Sequence, residues 1–232
     1  MKKSIIIDFD NTIGYFSQII YLINIVEKTY HRKMTQEDVN VLLNIYNYSF
    51  RPKIFEILKF IFEMKEKNII HSLILYTKNK NEEFVKMVLS FIELHISSNN
   101  ANINTSIKLF DFIIFSKSKI KDIEPLAKIK DIWDNIETNF CFVDNTKQNY
   151  KTNSSEVTIY FIECDTYKYY YTHDEIIQKM NYEMYTKLNK KIMRKYFKNI
   201  YKSKKIPENI PIKIHEFNSH YIFNLLNNFC FL

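Results

Sequence analysis

A chain of 232 residues, 46% of them hydrophobic, can bury one medium domain with an insertion. Its single glycine, Gly14, excludes the Gly-rich phosphate loops of the GxGxxG and GxxxxGK types, which need several residues free to take positive φ or to admit a phosphate closely. The net charge of +7 is local: nine basic residues and no acid lie between Lys187 and Lys205, leaving about −2 for the rest.

The three cysteines, Cys141, Cys164 and Cys230, are far apart and odd in number, so they suggest buried thiols rather than disulfides or a zinc site. The six histidines show no ligand spacing. The opening MKKSIII is interrupted by Asp8 after three apolar residues, and no segment approaches the ~18 apolar residues of a membrane span. A soluble, intracellular protein, cytoplasmic or nuclear and not secreted, is expected.

In chain order, Ser4–Phe9 carries the β-branched run Ile5-Ile6-Ile7 of a buried strand and ends on Asp8 and Asp10. Apolar spacing predicts a helix over Phe16–Thr29. The capping box Thr35-Gln-Glu-Asp38 opens a second, through about Tyr46. This stretch, 13–50, reads as a helical insertion or cap. Arg51-Pro52 then starts a helix with Ile54, Ile57, Leu58, Ile61 and Phe62 on one face.

Ile69–Tyr76 reads as a second strand ending at Thr77, and Glu82–Leu94 as a helix. Ser97–Ser106 is loop-like. Leu109–Phe115 is a third strand, Asp122–Ile136 a helix, Phe140–Val143 a fourth strand and Val157–Ile162 a fifth. A further capping box at Thr172–Glu175 introduces a long helix with Tyr185, Leu188, Ile192, Tyr196 and Ile200 on its apolar face and the basic run on the other. Pro207 and Pro211 end it, and an aromatic-rich tail runs to Leu232.

Strands alternating with helices predict an α/β fold: a Rossmann-like parallel sheet of about five strands flanked by helices. Residues 1–180 form the core, with the insertion after the first strand. Residues 181–232 add the basic helix and the tail, packed on that core.

In such a sheet the carboxyl ends of the strands share one edge, where ligands bind. Asp8, Asp10, Thr77, Asp144 and Asn145 follow three of those ends. Magnesium takes oxygen ligands from one or two carboxylates, waters and phosphate, and Asp8, Asp144 and a carbonyl near Asp10 would suit it, with Asn145 alongside. Asp8 could then attack phosphorus, Asp10 serve as general acid and base, and Thr77, Thr12 and Lys78 contact phosphoryl oxygens. A further cation should come from the first turn of the helix before the fourth strand. Lys121 fits, Lys119 comes next, and Lys128 and Lys130 lie roughly 9 Å or more along the axis.

Asp8-Phe-Asp10-Asn-Thr12 resembles motif I (DxDxT) of the haloacid-dehalogenase-like superfamily, and Leu75-Tyr-Thr77 and Phe142-Val-Asp144-Asn145 resemble its motifs II and IV in order. Arg51-Pro52 ahead of a helix, LILYT, FVDNT and Lys121-Asp-Ile-Glu-Pro-Leu126 resemble the branch of NLI-interacting-factor-like and RNA polymerase II carboxy-terminal-domain phosphatases. The resemblance covers about residues 4–180. It implies a metal-dependent phosphatase, with Asp8 the nucleophile and Asp10 the acid–base, acting on phosphoserine or phosphothreonine in proteins. The helical insertion, the missing glycines and the basic tail depart from that branch. They leave room for a small-molecule or polynucleotide-end phosphatase, or a catalytically silent binding module. The Lys187–Lys205 run could attract nucleic acid or an anionic surface, although a helix docked by its apolar stripe with solvated lysines outside is the simpler expectation.

Overall fold

The computed structural model describes residues 2–98, 107–117, 126, 137–147, 157–179 and 208–232. Five strands form one parallel sheet in the order β3-β2-β1-β4-β5: β1 (Lys2–Ile7), β2 (Ser72–Thr77), β3 (Phe112–Phe115), β4 (Thr138–Asp144) and β5 (Val157–Glu163). Helices α1 (Ser17–Tyr30), α2 (Gln36–Ile45), α3 (Ile54–Glu66), α4 (Glu82–Ser98), α5 (His173–Lys179) and α6 (Ile212–Phe231) flank it. The expected α/β architecture is present, and the strands stand within a few residues of their predicted positions.

β1 and β4 are the apolar centre. Along them the side chains alternate between two faces. Ile5, Ile7, Cys141 and Val143 enter a core built with α1 to α4 and α6, whereas Ile6, Phe140 and Phe142 face a second cluster with Ile74, Tyr76 and Val157. Leu126 lies in that second cluster; it is helical, as predicted for its segment, whose other residues between 118 and 136 fall outside the described residues.

Helices α1 and α2 do not stand apart from the core. Ile19, Leu22, Ile25, Val39, Leu42 and Leu43 are buried in the same cluster as α3 and α4. Thr35 caps α2 with the anticipated reciprocal bonds: its hydroxyl accepts from the Asp38 N–H, and the Asp38 carboxylate accepts from the Thr35 N–H. Pro52 lies just outside α3 rather than in its first turn. Lys53 takes φ 60° and the helix starts at Ile54, because the backbone must first turn sharply after pairing with the loop beyond β1.

The aromatic tail is the largest difference from expectation. Ile212–Phe231 is a helix of 20 residues. Its buried side, His215, Ser219, Ile222, Leu226, Phe229 and Cys230, follows helical spacing, but two of its members are polar and mask the pattern. Phe223 packs on Phe60 of α3 with centroids 4.8 Å apart, and Phe229 on Tyr160 of β5 at 5.3 Å. Thr172 and Glu175 cap α5 reciprocally, as predicted, while the rest of the expected basic helix, Lys187–Lys205 included, lies outside the described residues.

Candidate active site at the β1–β4 switch point

The strand order reverses direction between β1 and β4, and ligands of doubly wound sheets bind outside such a reversal, at the carboxyl ends of the strands. Here that position belongs to Asp8 and Asp144. The register pairs Ile7 with Val143, and the Asp8 N–H continues the ladder to the Val143 carbonyl at 3.0 Å. Asp8 and Asp144 are therefore neighbours across the ladder and extend the same face of the sheet. Both are buried, 8% and 3% exposed.

A tight loop follows. Asn11 takes φ 62°, a left-handed conformation that asparagine tolerates better than most residues, and its N–H bonds to the Gly14 carbonyl at 2.7 Å. The loop presents the Thr12 hydroxyl to Asp8 Oδ2 at 3.2 Å and to Asn145 Oδ1 at 3.4 Å, while the Asn145 N–H donates to Thr12 Oγ at 3.2 Å. The Asn145 amide donates in turn to Thr166 Oγ at 3.1 Å. Thr12 thus couples the end of β1 to the end of β4. Asp144 Oδ1 accepts the Thr146 N–H at 2.8 Å, which orients that carboxylate.

Asp10 points elsewhere. Its two carboxylate oxygens accept from the Asn79 amide at 3.1 and 3.0 Å. Asn79 lies just beyond β2, where its own N–H donates to Thr77 Oγ at 3.0 Å. The hydroxyl of Thr77 is therefore engaged in its own turn and fully buried, and it connects with Asp10 through Asn79. Lys78 is exposed beside it. Lys119, Lys121, Lys128 and Lys130 lie outside the described residues.

Three residues, Arg51, Asp165 and His215, hold this loop from behind. Arg51, 1% exposed, donates from Nε to the Thr12 carbonyl at 2.7 Å and from Nη2 to the Asn11 carbonyl at 3.0 Å. It also pairs with Asp165, whose other oxygen meets His215 Nδ1 at 2.7 Å. Burial would raise the Asp165 carboxyl, but the Arg51 charge and the hydrogen bonds from Arg51, His215 and Asn218 outweigh it and hold the group below its ordinary 3.8. His215 is fully buried, and its Nε2 is the one buried side-chain polar atom without a partner among the described residues. The resemblance drew attention to Arg51-Pro52 only as a helix start, and nothing near Asp165 or His215 suggested a partner for the arginine.

Cys164 lies close by, with Sγ 3.8 Å from Thr12 Oγ, and burial pushes its thiol up to about 11, which disfavours the thiolate at neutral pH. A cleft lined by Ile20, Asn24, Glu27, Met34, Phe84 and Met87 opens between α1, α2 and α4, and none of the candidate site residues lines it.

Among the described residues no group of three or more His, Cys, Asp or Glu side chains is gathered to hold a metal. Magnesium does not require one: one or two carboxylates with waters and substrate oxygens suffice, and the buried Asp8–Asp144 pair supplies that donor set. The Asn79 bonds turn the Asp10 carboxylate toward β2. Asn145 contributes its amide to the hydroxyl network.

No family model, no curated protein and no solved structure matches this chain.

Proposed function

We propose that this chain is a magnesium-dependent phosphomonoester hydrolase of the haloacid-dehalogenase-like kind, akin to the NLI-interacting-factor-like branch, and that Asp8 is its nucleophile. The observation that supports this most is the β1–β4 register, which makes Asp8 and Asp144 buried neighbours at the switch point.

In this reading Asp8 and Asp144 would hold magnesium, whose charge would let an anionic nucleophile approach an anionic phosphate. An Asp8 oxygen forms a bond to phosphorus as the ester P–O bond breaks, and Asp10 gives its proton to the departing alkoxide. Asp10 then takes a proton from water, which attacks the aspartyl-phosphate, releasing inorganic phosphate and restoring Asp8. Thr12 orients Asp8 through its hydroxyl, and Asn79 fixes both Asp10 carboxylate oxygens on the β2 side of the loop. The resemblance by itself points to phosphoserine or phosphothreonine in a protein as the ester; the chemistry serves any phosphomonoester.

The test is hydrolysis of an aryl phosphate by the full chain with magnesium. Asp8→Asn should abolish turnover and Asp10→Asn should slow it by roughly 10²–10⁴-fold, the usual contribution of general acid–base catalysis. Absence of turnover by the unaltered chain across pH 5 to about 9, with magnesium present, would sink the proposal.

A further inference from the structure

Each strand beside β1 ends in a loop that carries exposed lysine. Lys78 and Lys80 follow β2, Lys117 follows β3, Lys147 follows β4 and Lys168 lies just beyond β5. Among the described residues none of these lysines is paired with a carboxylate. All lie at the carboxyl edge, because the sheet is wholly parallel. From β3 to β5 is four strand spacings, about 19 Å at ~4.8 Å each, far wider than one phosphate group. The exposed acids at this edge, Glu82, Glu83 and Glu163, are three against five lysines, and Asp165 is already matched by Arg51, while Asp8, Asp10 and Asp144 belong to the crevice that would take magnesium and the terminal phosphate.

Tyrosines border the same edge. Tyr15 follows the site loop directly, its N–H bonded to the Ser49 carbonyl at 2.7 Å. The extended segment Tyr167-Lys168-Tyr169-Tyr170 runs beside that loop, with the Tyr167 N–H bonded to the Asn11 carbonyl at 2.9 Å. Tyr15 packs edge-on to Tyr170 and Tyr48 against Tyr169, each pair with centroids 5.0 Å apart. Tyr48 remains 43% exposed, and Tyr15, Tyr169 and Tyr170 are half-buried.

Spaced cations bind a chain of phosphates, and tyrosine faces stack on bases of any sequence. We propose that the substrate is a single-stranded nucleic acid with a terminal phosphate, its end in the Asp8 crevice and its backbone along this lysine and tyrosine rim. The proposal rests on the phosphatase reading of Asp8. An acidic phosphopeptide would satisfy the lysines but leave the tyrosine faces unused, and a small phosphomonoester would reach neither end of the rim.

The experiment compares kcat/KM of the full chain, with magnesium, on short oligothymidylates bearing a 3′- or a 5′-phosphate, on thymidine monophosphate, on a phosphoserine peptide and on an aryl phosphate. One oligonucleotide should exceed the mononucleotide by about tenfold or more at low salt, the gap closing as salt rises. Lys147→Glu with Lys168→Glu, and separately Tyr48→Ala, should shrink the ratio of oligonucleotide to aryl phosphate turnover. Lys28→Glu with Lys67→Glu, the same change of charge on exposed lysines outside the rim, should leave that ratio unchanged. Oligonucleotides no better than the mononucleotide, or the phosphopeptide preferred, would overturn the proposal while the phosphatase reading stands. If no ester is hydrolysed, that reading fails, and anisotropy of a fluorescein-labelled oligothymidylate decides the rim alone. Weaker binding in the rim variants than in the Lys28/Lys67 control supports it, and equal binding overturns it.

Discussion

At Asp10 both carboxylate oxygens meet one amide group, that of Asn79. A flexible aspartate would lose reach and orientation toward a leaving oxygen without that partner, although it would keep its charge. If Asp10 is the proposed acid and base, Asn79→Ala should lower kcat on an aryl phosphate by about tenfold with little change in KM, since the contact would then serve proton transfer rather than binding. An equal loss in kcat and thermal stability would make the role merely structural. Gly14 illustrates a different constraint. A Cβ there would collide with the Ser49 carbonyl and the Phe16 ring, so backbone must shift on the stem that carries the site loop. Gly14→Ala should destabilise the chain by about 1–3 kcal/mol, measurable by urea unfolding. The lone glycine was noticed in the sequence for what it excluded. Its actual task, close approach of two backbone segments, depends on a contact with residue 49 that no local pattern encodes.

At the scale of elements, the sheet was legible and the last helix was not. Buried parallel strands are short apolar runs that stop on polar residues, and Ile5-Ile6-Ile7 before Asp8 or Phe140–Val143 before Asp144 advertise both the strand and its carboxyl end. Thr35 and Asp38 marked α2 because a capping box is a local interaction. Helix α6 hid because His215 and Ser219 occupy its buried stripe while Phe217 and Tyr221, at 71% and 54% exposure, lie outside it. Asn79 was overlooked beside Lys78 for a related reason: its value comes from Asp10, far away in sequence. Leu226 is fully buried in the second half of α6, so Leu226→Ala should cost about 2–5 kcal/mol in chemical denaturation. An effect below about 1 kcal/mol would mean that α6 is not docked as described.

For the molecule as a whole, α6 runs from His215, at the carboxyl edge beside Asp165, to Cys230, whose carbonyl accepts from Lys3 Nζ at 2.9 Å at the opposite edge. At about 1.5 Å per residue that stretch is about 22 Å, close to the length of strands of six or seven residues. Acid should loosen this arrangement at Asp165. Its folded carboxyl titrates below the ordinary value of 3.8, so its contribution is complete above that value and is lost as pH falls through the lower, folded one. Urea unfolding followed over pH should show a fall in stability below about 4 that is smaller in Asp165→Asn; an identical slope in that variant would refute the assignment. No helix among the described residues is long and apolar enough to cross a membrane.

The excursion from Ile13 to Arg51 has one further property. Tyr15 bonds back to Ser49 and Arg51 to Ile13, so the two legs are laced together where they leave the sheet. With the Arg51 guanidinium gripping the Asn11 and Thr12 carbonyls as well, α1 and α2 share a joint with the loop that follows Asp8. A displacement of those helices would therefore strain the Asn11–Thr12 turn, because the same hydrogen bonds tie the two together.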